Sequence, residues 1–409
     1  MSFSPTTLTA LQRAQVSANI EVPAEPVGAL DGMNLKFDDK GAALGQVVVV
    51  PVVVPSASSQ ATPAATPSSG SSQTPVNMQV TITNVPEQSM VFTGEDLRLL
   101  ETMDSRDEIL KQWLAQAERA HRNEMSAAAG VALSIAGSRA VGKAGSIPFQ
   151  TDMTGLTAAR KILRQNGAPM ADVQVVASID GYANLLNQNV IQKANEAGSD
   201  QERRSGIIRS QFGFNSIRED AQITDHTAGT GTAFLVAHPT AGTYAVKTTA
   251  IAVDTGSAGT ILIGDVITFA GDPNQYVVVP APGTSTSKQT LTDSNVTGSG
   301  TIHIGNPGLR VPLADETAIT VVSATTQNGV VGYSPSFVFE RHAAVGIIRP
   351  PIQPSPAIYY STLDTVTDKF GYTYLFAESH QVFQVSWYLW VAYGFAITQS
   401  EYVVPIIGN

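Results

Sequence analysis

The chain has 409 residues, 43% of them hydrophobic and 14% charged, with 34 acidic against 24 basic side chains for a formal charge of −10. That much apolar material fills roughly two to four domain cores and excludes a disordered chain, while the acidic balance argues against a sequence-reading DNA binder, which carries a basic face. It leaves room for a container whose wall merely faces nucleic acid, and the absence of cysteine excludes disulfides, thiolate zinc sites and cysteine nucleophiles.

From the N-terminus, Met1 to Gln15 lacks the basic start and apolar core of a secretory signal, so a soluble protein made in the cytoplasm is expected. In Ser2 to Val22, Leu8, Leu11, Ala14 and Val16 fall near helical spacing before Pro23 and Pro26, which predicts an arm with a short helix. Gln46 to Val54 is β-branched but interrupted by Pro51, and it is too short to span a membrane. Val76, Met78, Val80 and Ile82 alternate along one side of a second strand, Val76 to Thr83. The two strands are expected to pair as a long hairpin. The intervening Pro55 to Pro75 is almost entirely Ser, Ala, Thr, Pro, Gln and Gly, a composition that builds no core of its own.

Thr93 to about Arg139 is the one long, strongly helical run, and the rest of the chain reads as organised around it. Thr93 with Asp96 three positions on forms a variant capping box, and Glu95 and Asp96 place negative charge at the positive end of the helix dipole. Leu97, Leu100, Leu110, Trp113, Leu114, Ala117, His121, Met125, Ala128 and Ala132 recur at three- and four-residue spacing. Some 40 helical residues predict a rod of roughly 60 Å, long enough to act as a spine. The competing reading, a coiled coil, needs a sustained heptad that this stretch lacks, and Gly130 and Gly137 weaken its end.

Beyond the spine, a helix over Met153 to Asn166, a buried strand at Asp172 to Ala177, a helix from Asp180 to near Gly198, and a strand–turn–strand over Gly206 to Ile223 make an α+β block. Helical periodicity vanishes between about His226 and Gly332. Short β-rich runs take its place at Thr243 to Val253, Thr260 to Ala270, Tyr276 to Val279, Gly300 to Ile304 and Ala318 to Ser323, separated by turn residues, as in an inserted barrel or sandwich. Ser336 to Ile348 is read as a helix or strand–helix ending at Pro350 and Pro351. Tyr372 to Ile407, dense in aromatics, is read as two long strands broken near Gly394.

Candidate chemistry is sparse. Gly137, four residues, then Gly142 and Lys143 imitate a phosphate loop, but Ala144 stands where Ser or Thr would hold magnesium, and a helix rather than a strand precedes it. His121, His226, His238, His303, His342 and His380 show no metal-ligand spacing. Asp225 and His226 point to opposite sides of an extended chain. Asp254, Asp265, Asp272, Asp293, Asp315 and Glu316 fall at turns, where Asp serves the backbone, and Asn295-Val296-Thr297 matters as a glycosylation acceptor only after secretion. Phe376, Phe383, Trp387, Tyr388, Trp390, Tyr393 and Phe395 lack the basic neighbours of a base-stacking platform and read as core.

Taken in sequence, arm, hairpin, spine, α+β block, β insertion and closing block follow an order that resembles the major capsid proteins of tailed bacteriophages, in particular the short-tailed-phage coat proteins with an inserted β-barrel. Local stretches are similar too: Gln211 to Asn215 leading through Ile217 and Arg218 to Thr224, Ile263 to Gly271, Phe337 to Ala343 continuing to Pro354, and Trp387 to Gly408. The resemblance implies the tailed-phage capsid (Johnson) fold, α+β in class: arm 1–40, extended hairpin loop 41–92, spine and peripheral domain 93–225, inserted all-β domain 226–332, and axial domain with closing strands 333–409.

It further implies a non-enzymatic shell protein, without cofactor or metal, that forms the hexamers and pentamers of an icosahedral head around double-stranded DNA. The partners it implies are other copies of itself, a scaffolding protein, a portal protein at one vertex and a decoration or cement protein. DNA would be held without sequence-specific contacts and no membrane would be involved. The protein would reside in the virion after assembly in the host bacterial cytoplasm. Inter-subunit contacts are expected at Val48, Val50, Pro55, Pro63, Pro67, Pro75, Val80 and Ile82. An acidic inner wall repels packaged DNA, and the exposed edges of long hairpins are used rather than wasted in a shell. An encapsulin-like compartment, a β-rich adhesin or carbohydrate-binding protein, and a hydrolase are the other readings. The first would need a cargo protein, the second an export signal, and the third converging His, Asp and Ser.

Overall fold

Val173–Ser178 is an almost unbroken apolar run, and such a strand is satisfied only when both of its faces are covered. The computed structural model describes residues 25–35, 43–52, 76–96, 98, 106–192, 205, 207–208, 211–230, 234–255, 259–281, 291–293, 300–322, 326–327, 330–352, 362–368 and 370–408. In it this strand lies inside a four-stranded sheet ordered Val403–Ile406, Ser336–Glu340, Val173–Ser178, Ser216–Asp220. The last pair is parallel and the others are antiparallel. On one face Val175, Ala177, Val338 and Val404 pack with Leu156, Ala159 and Leu163 of the helix Thr154–Gln165. On the other, Val176, Phe337, Phe339 and Val403 meet Ala129 and Leu133 of the spine and Ala29 and Met33 of the arm. The result is a mixed α/β architecture.

The spine begins as its sequence dictates. Thr93 Oγ1 donates to Asp96 Oδ2 (2.6 Å), the Thr93 amide donates to the same oxygen (3.1 Å), and the Asp96 amide donates back to Thr93 Oγ1 (3.3 Å), a reciprocal cap. Residues 94–96 and Arg98 are helical, whereas 97 and 99–105 lie outside the described residues. The helix Arg106–Ser134 then runs for 29 residues, about 44 Å. It stops five residues short of Arg139, which belongs instead to a short strand, Arg139–Ala140. The reason is contact. Gly137 lies so close to Pro405 that a Cβ would sit 2.7 Å from the ring, and the Ser138 amide donates to the Val403 carbonyl (3.0 Å), which draws the chain out along the sheet.

Upstream of that exit, the apolar stripe of the spine lies on a second sheet ordered Thr362–Thr367, Thr373–His380, Gln384–Trp390, Glu87–Thr93. Trp113 packs 6.0 Å from Trp387 and 6.3 Å from Phe376, while Leu114, Ala117 and Met125 fill the same core as Tyr374 and Leu389. The stripe that a coiled coil would present to another chain is thus spent on this chain's own sheets. His121, fully buried, stacks on Tyr374, and its Nε2 lies 3.0 Å from the Leu389 carbonyl. Burial pushes its pKa down, so the neutral imidazole is favoured.

Three expectations need correction. The stretch Ser336 to Ile348 holds no α-helix: strand Ser336–Glu340 and strand Ala344–Arg349 flank a single 3-10 turn, Arg341–Ala343, whose amides at His342 and Ala343 are capped by the Glu340 carboxylate. The helix from Asp180 spans Ile179–Leu186, pauses at Asn187, and resumes for Asn189–Gln192, while residues 193–200 lie outside the described residues. The closing region holds four strands rather than two, and Gly394 lies inside one of them, Ala392–Ile397. Glycine is needed there because a Cβ would stand 2.2 Å from the carbonyl oxygen of Thr81, where the strand Val76–Thr81 crosses.

Between His226 and Tyr333 the short β runs close on themselves. Val266–Phe269, Ala318–Val321, Phe234–Val236, Ala250–Thr255, Gly300–Ile304 and Gln275–Val279 pair in that order, and the last pairs back to the first, which makes a six-stranded antiparallel barrel. Its interior is filled by Phe234, Ile251, Phe269, Tyr276 and Ile302, all nearly inaccessible. Arg139–Ala140 adds outside the ring, against Gln275 and Tyr276. The clash at Gly394 yields a test: Gly394→Ala is expected to cost roughly 1–3 kcal/mol by overpacking, read from urea unfolding, and an unchanged midpoint would show that the crossing strand yields freely.

Candidate functional site

The hairpin is built by alternation. Val47–Val52 and Val76–Thr81 pair antiparallel as a sheet of their own, with Val48 opposite Val80 and Val50 opposite Met78 on one face, and Val47 opposite Thr81 and Val49 opposite Gln79 on the other. Of the residues expected at inter-subunit contacts, Val80 and Ile82 are fully buried inside this chain, against Val345, Ile347 and Ala392, and Val48 and Val50 are half-buried on the same cluster. Pro55, Pro63, Pro67 and Pro75 lie outside the described residues. The reason for the inward placement is the Val76, Met78, Val80, Ile82 alternation, which seats the apolar side of the strand on the subunit. The opposite face carries Val47 at 42% and Val49 at 51% exposure, next to Leu44 at 66%. Such adjacent bare aliphatics are the feature that sequence alternation alone misses, because Val47 and Val49 sit in an unbroken valine run with no polar residues to mark an outer face.

A second junction fixes the arm. Glu25 accepts from Arg119 Nε (2.7 Å) and from Arg119 Nη2, and from Asn123 Nδ2 (3.0 Å), while Arg122 Nη2 reaches the Glu25 carbonyl at 3.3 Å. Hydrogen bonds from Arg119 and then Asn123 hold the Glu25 carboxyl down to about 2.

The residues singled out for chemistry serve structure. Gly137 to Lys143 follows a helix end and runs into a strand, so it forms no phosphate loop. His226 Nε2 lies 2.8 Å from Asp265 Oδ1, and Asp265, fully buried, also accepts from the amides of Gly229 and Leu262. Tyr333 Oη donates to the Gly264 carbonyl beside them, so this cluster pins the barrel's entry and exit segments, Thr227 and Gly332 being paired there. His342 pairs with Glu340 (2.7 Å) and His380 with Glu378 (3.4 Å). His238 accepts amides of its own turn and is packed edge-on by Tyr244, and His303 lies in a barrel strand. Asp272 and Asp315 accept from the backbone amides of Asn274 and His238, while Asn295 to Thr297 lie outside the described residues. Among the described residues no group of three His, Asp or Glu side chains is placed to hold a metal ion, and no helix is long and apolar enough to cross a membrane.

No protein-family model matches the chain, and no curated protein matches its sequence. Solved structures of similar shape include phage capsids and a virus-like particle. The chain is similar to a capsid structure of cyanophage P-SCSP1u at 10% identity, covering 95% of this chain and 90% of the other, with a TM-score of 0.48. It is similar to a structure of Mycobacterium phage Che8 at 12% identity, 94% and 92% coverage and a TM-score of 0.46. It is also similar to a virus-like particle from Pyrococcus furiosus at 8% identity, 98% and 99% coverage and a TM-score of 0.41.

The two faces of the hairpin predict opposite outcomes. Ile82→Ala is expected to cost about 2–5 kcal/mol of subunit stability, whereas Val49→Lys is expected to change it by less than about 0.5 kcal/mol, as chemical denaturation would show. The arm junction predicts a pH dependence. Because the folded carboxyl sits below its ordinary 4.5, the stabilisation from Glu25 is full above that value and is lost as pH falls toward 2. The difference in Tm between the natural protein and Glu25→Gln is therefore expected to be largest near neutral pH and to close on acidification; a difference independent of pH would reject this anchor.

Proposed function

We propose that this chain is the major capsid protein of a tailed bacteriophage, assembling into the hexamers and pentamers of an icosahedral head that encloses double-stranded DNA. The observation that carries this reading is the hairpin: one face is anchored in the subunit core, the other presents adjacent bare aliphatics, and the two-stranded sheet leaves both outer edges unpaired among the described residues. An isolated subunit gains nothing from such a surface. A neighbour that covers it gains both apolar burial and backbone pairing.

In this reading the arm (1–40) and the hairpin loop (41–92) lap onto adjoining copies, and the spine with the peripheral α+β region (93–225) sets subunit shape. The barrel (226–332) stiffens the subunit or meets neighbours, and the closing region (333–409) forms the axial part. The net charge of −10 suits a wall that contains DNA without binding it tightly. A scaffolding protein, a portal at one vertex and a decoration protein are the further partners. Assembly takes place in the bacterial cytoplasm and the product is the virion shell. In this reading the subunit's role is structural, and the pairs His226–Asp265, His342–Glu340 and His380–Glu378 are made within the fold.

Sedimentation and negative-stain microscopy of the protein expressed with and without a candidate scaffolding partner test the proposal. Closed multi-megadalton shells are expected in at least one condition, and a clean monomer or dimer in both would overturn it. Within that experiment, deletion of residues 56–74 is expected to leave a folded subunit that assembles poorly, and normal shells from the deletion variant would remove the loop from the assembly mechanism.

A further inference from the structure

Among the described residues the two most exposed large hydrophobic side chains are neighbours, Val382 at 88% and Phe383 at 83%. They form the two-residue loop that joins Thr373–His380 to Gln384–Trp390, with His380 paired to Val385 and the Gln381 amide donating to the Gln384 carbonyl (2.8 Å). Loops of this length favour Asn and Gly, because the turn that matches strand twist needs positive φ at its centre. Neither Val382 nor Phe383 has positive φ, so the turn gains nothing from them, and at this exposure neither does the core. The tip is nevertheless held still. Gln384 Nε2 donates to Gln381 Oε1 (2.6 Å), and the Gly94 amide, at the start of the spine, donates to the Phe383 carbonyl (2.9 Å). A rigid pair of bare apolar side chains loses little entropy on contact, which suits an anchor.

We infer that this tip seats on the bare aliphatic face of the hairpin, Leu44, Val47 and Val49, of a second copy of the chain. This contact deepens the capsid reading, on which it rests, by naming the part of the neighbour that covers the hairpin. Three observations choose the occupant. Within one subunit the two patches do not cover each other: both stay exposed, and the hairpin base meets Tyr393 and Gly394, separated from the tip by the whole of Gln384–Trp390, about 20 Å of strand. A knob and a seat so placed meet between copies, head to tail, and a repeated head-to-tail contact closes into rings. The charged residues around the tip, Glu95, Asp96, Arg98, Glu378 and His380, are more acidic than basic at neutral pH, which disfavours a phosphate backbone or an anionic membrane surface. Finally, two side chains offer well under the roughly 800 Å² per partner of a stable pairwise complex, so the contact holds only where an assembly repeats it.

The natural chain has no cysteine, so an engineered pair reports the contact directly. In shells of full-length protein carrying Val382→Cys together with either Val47→Cys or Val49→Cys, mild oxidation is expected to give a ladder of covalent oligomers on non-reducing gels with at least one of the two seats. A ladder follows because each subunit supplies one tip and one seat. Val382→Cys with Ile352→Cys, a position at 64% exposure elsewhere on the surface, is expected to give none. Phe383→Ser is expected to leave the Tm of the free subunit unchanged and to raise the concentration needed for assembly roughly tenfold. Three results would overturn the contact while leaving the capsid reading in place. One is normal shells with no ladder from either seat, as when a different protein, a membrane or nucleic acid is the occupant. The others are covalent dimers from Val382→Cys alone, the mark of tip meeting tip, and a Phe383→Ser variant that assembles at the natural concentration. Absence of shells from the natural protein would overturn both.

Discussion

One buried carboxylate holds three distant parts of the chain together. Asp220, 1% exposed at the end of the parallel strand Ser216–Asp220, accepts from the amide of Ala29 in the arm, from Ser126 Oγ in the spine and from the amide of Gln222, each at 2.7 Å. Desolvation pushes its pKa up while those donors pull it back, the balance expected of an acceptor that is fully used. The arm helix Gly28–Gly32 has only five residues, far too few to stand alone, yet four of them are buried. Its position follows from the bond at Ala29 and from the apolar contacts of Ala29 and Met33 with the spine and sheet. Remove that acceptor and the arm, the end of the spine and the edge of the sheet lose their shared fixed point.

From that point the fold distributes the faces of one helix. The spine gives Leu114, Ala117 and Met125 to the aromatic sheet and Ala129 and Leu133 to the central one, so a single rod orients two sheets. The hairpin is treated differently. It contributes only its inner face to the core, and its outer valines remain for whatever lies beside the subunit. A fold that buries strands such as Val173–Ser178 and Ser336–Glu340 on both sides, yet leaves Val47 and Val49 of the hairpin exposed, separates what stabilises the subunit from what is left for a neighbour.

Much of this was legible in residue order. The capping pair Thr93 and Asp96 and the helical stripe each obey a local rule and appear where that rule puts them, and the turn-separated β runs are there too, although Thr243 to Val253 and Thr260 to Ala270 are each split into two strands. What was not legible depends on partners far along the chain. Arg139 leaves the helix because Pro405 and Val403 draw it away, Gly394 lies inside a strand because Thr81 crosses it, and Glu340 turns an apparent helix into a capped corner between two strands. The hairpin shows the limit most plainly: an unbroken valine run specifies a strand but not which of its faces looks outward, and that was settled by Val80 and Ile82 on the partner strand and the segment after it. Nor does any sequence pattern bring Arg139 to the amides of Gln165 and Asn166 at one helix end and of Asn274 in a distant turn.

The strand Arg139–Ala140 also has a mechanical meaning. The barrel enters and leaves through segments paired at Thr227 and Gly332, an attachment that alone would act as a hinge. The strand that ends the spine is zipped to the barrel at Gln275 and Tyr276, while the next residue, Val141, is bridged to Ile406 of the central sheet. A body fastened along two separate lines resists twisting. Torque applied to the barrel would pass into the axis of the long helix instead of dissipating in a swivel, so the subunit is braced as a lever rather than hung as a pendant.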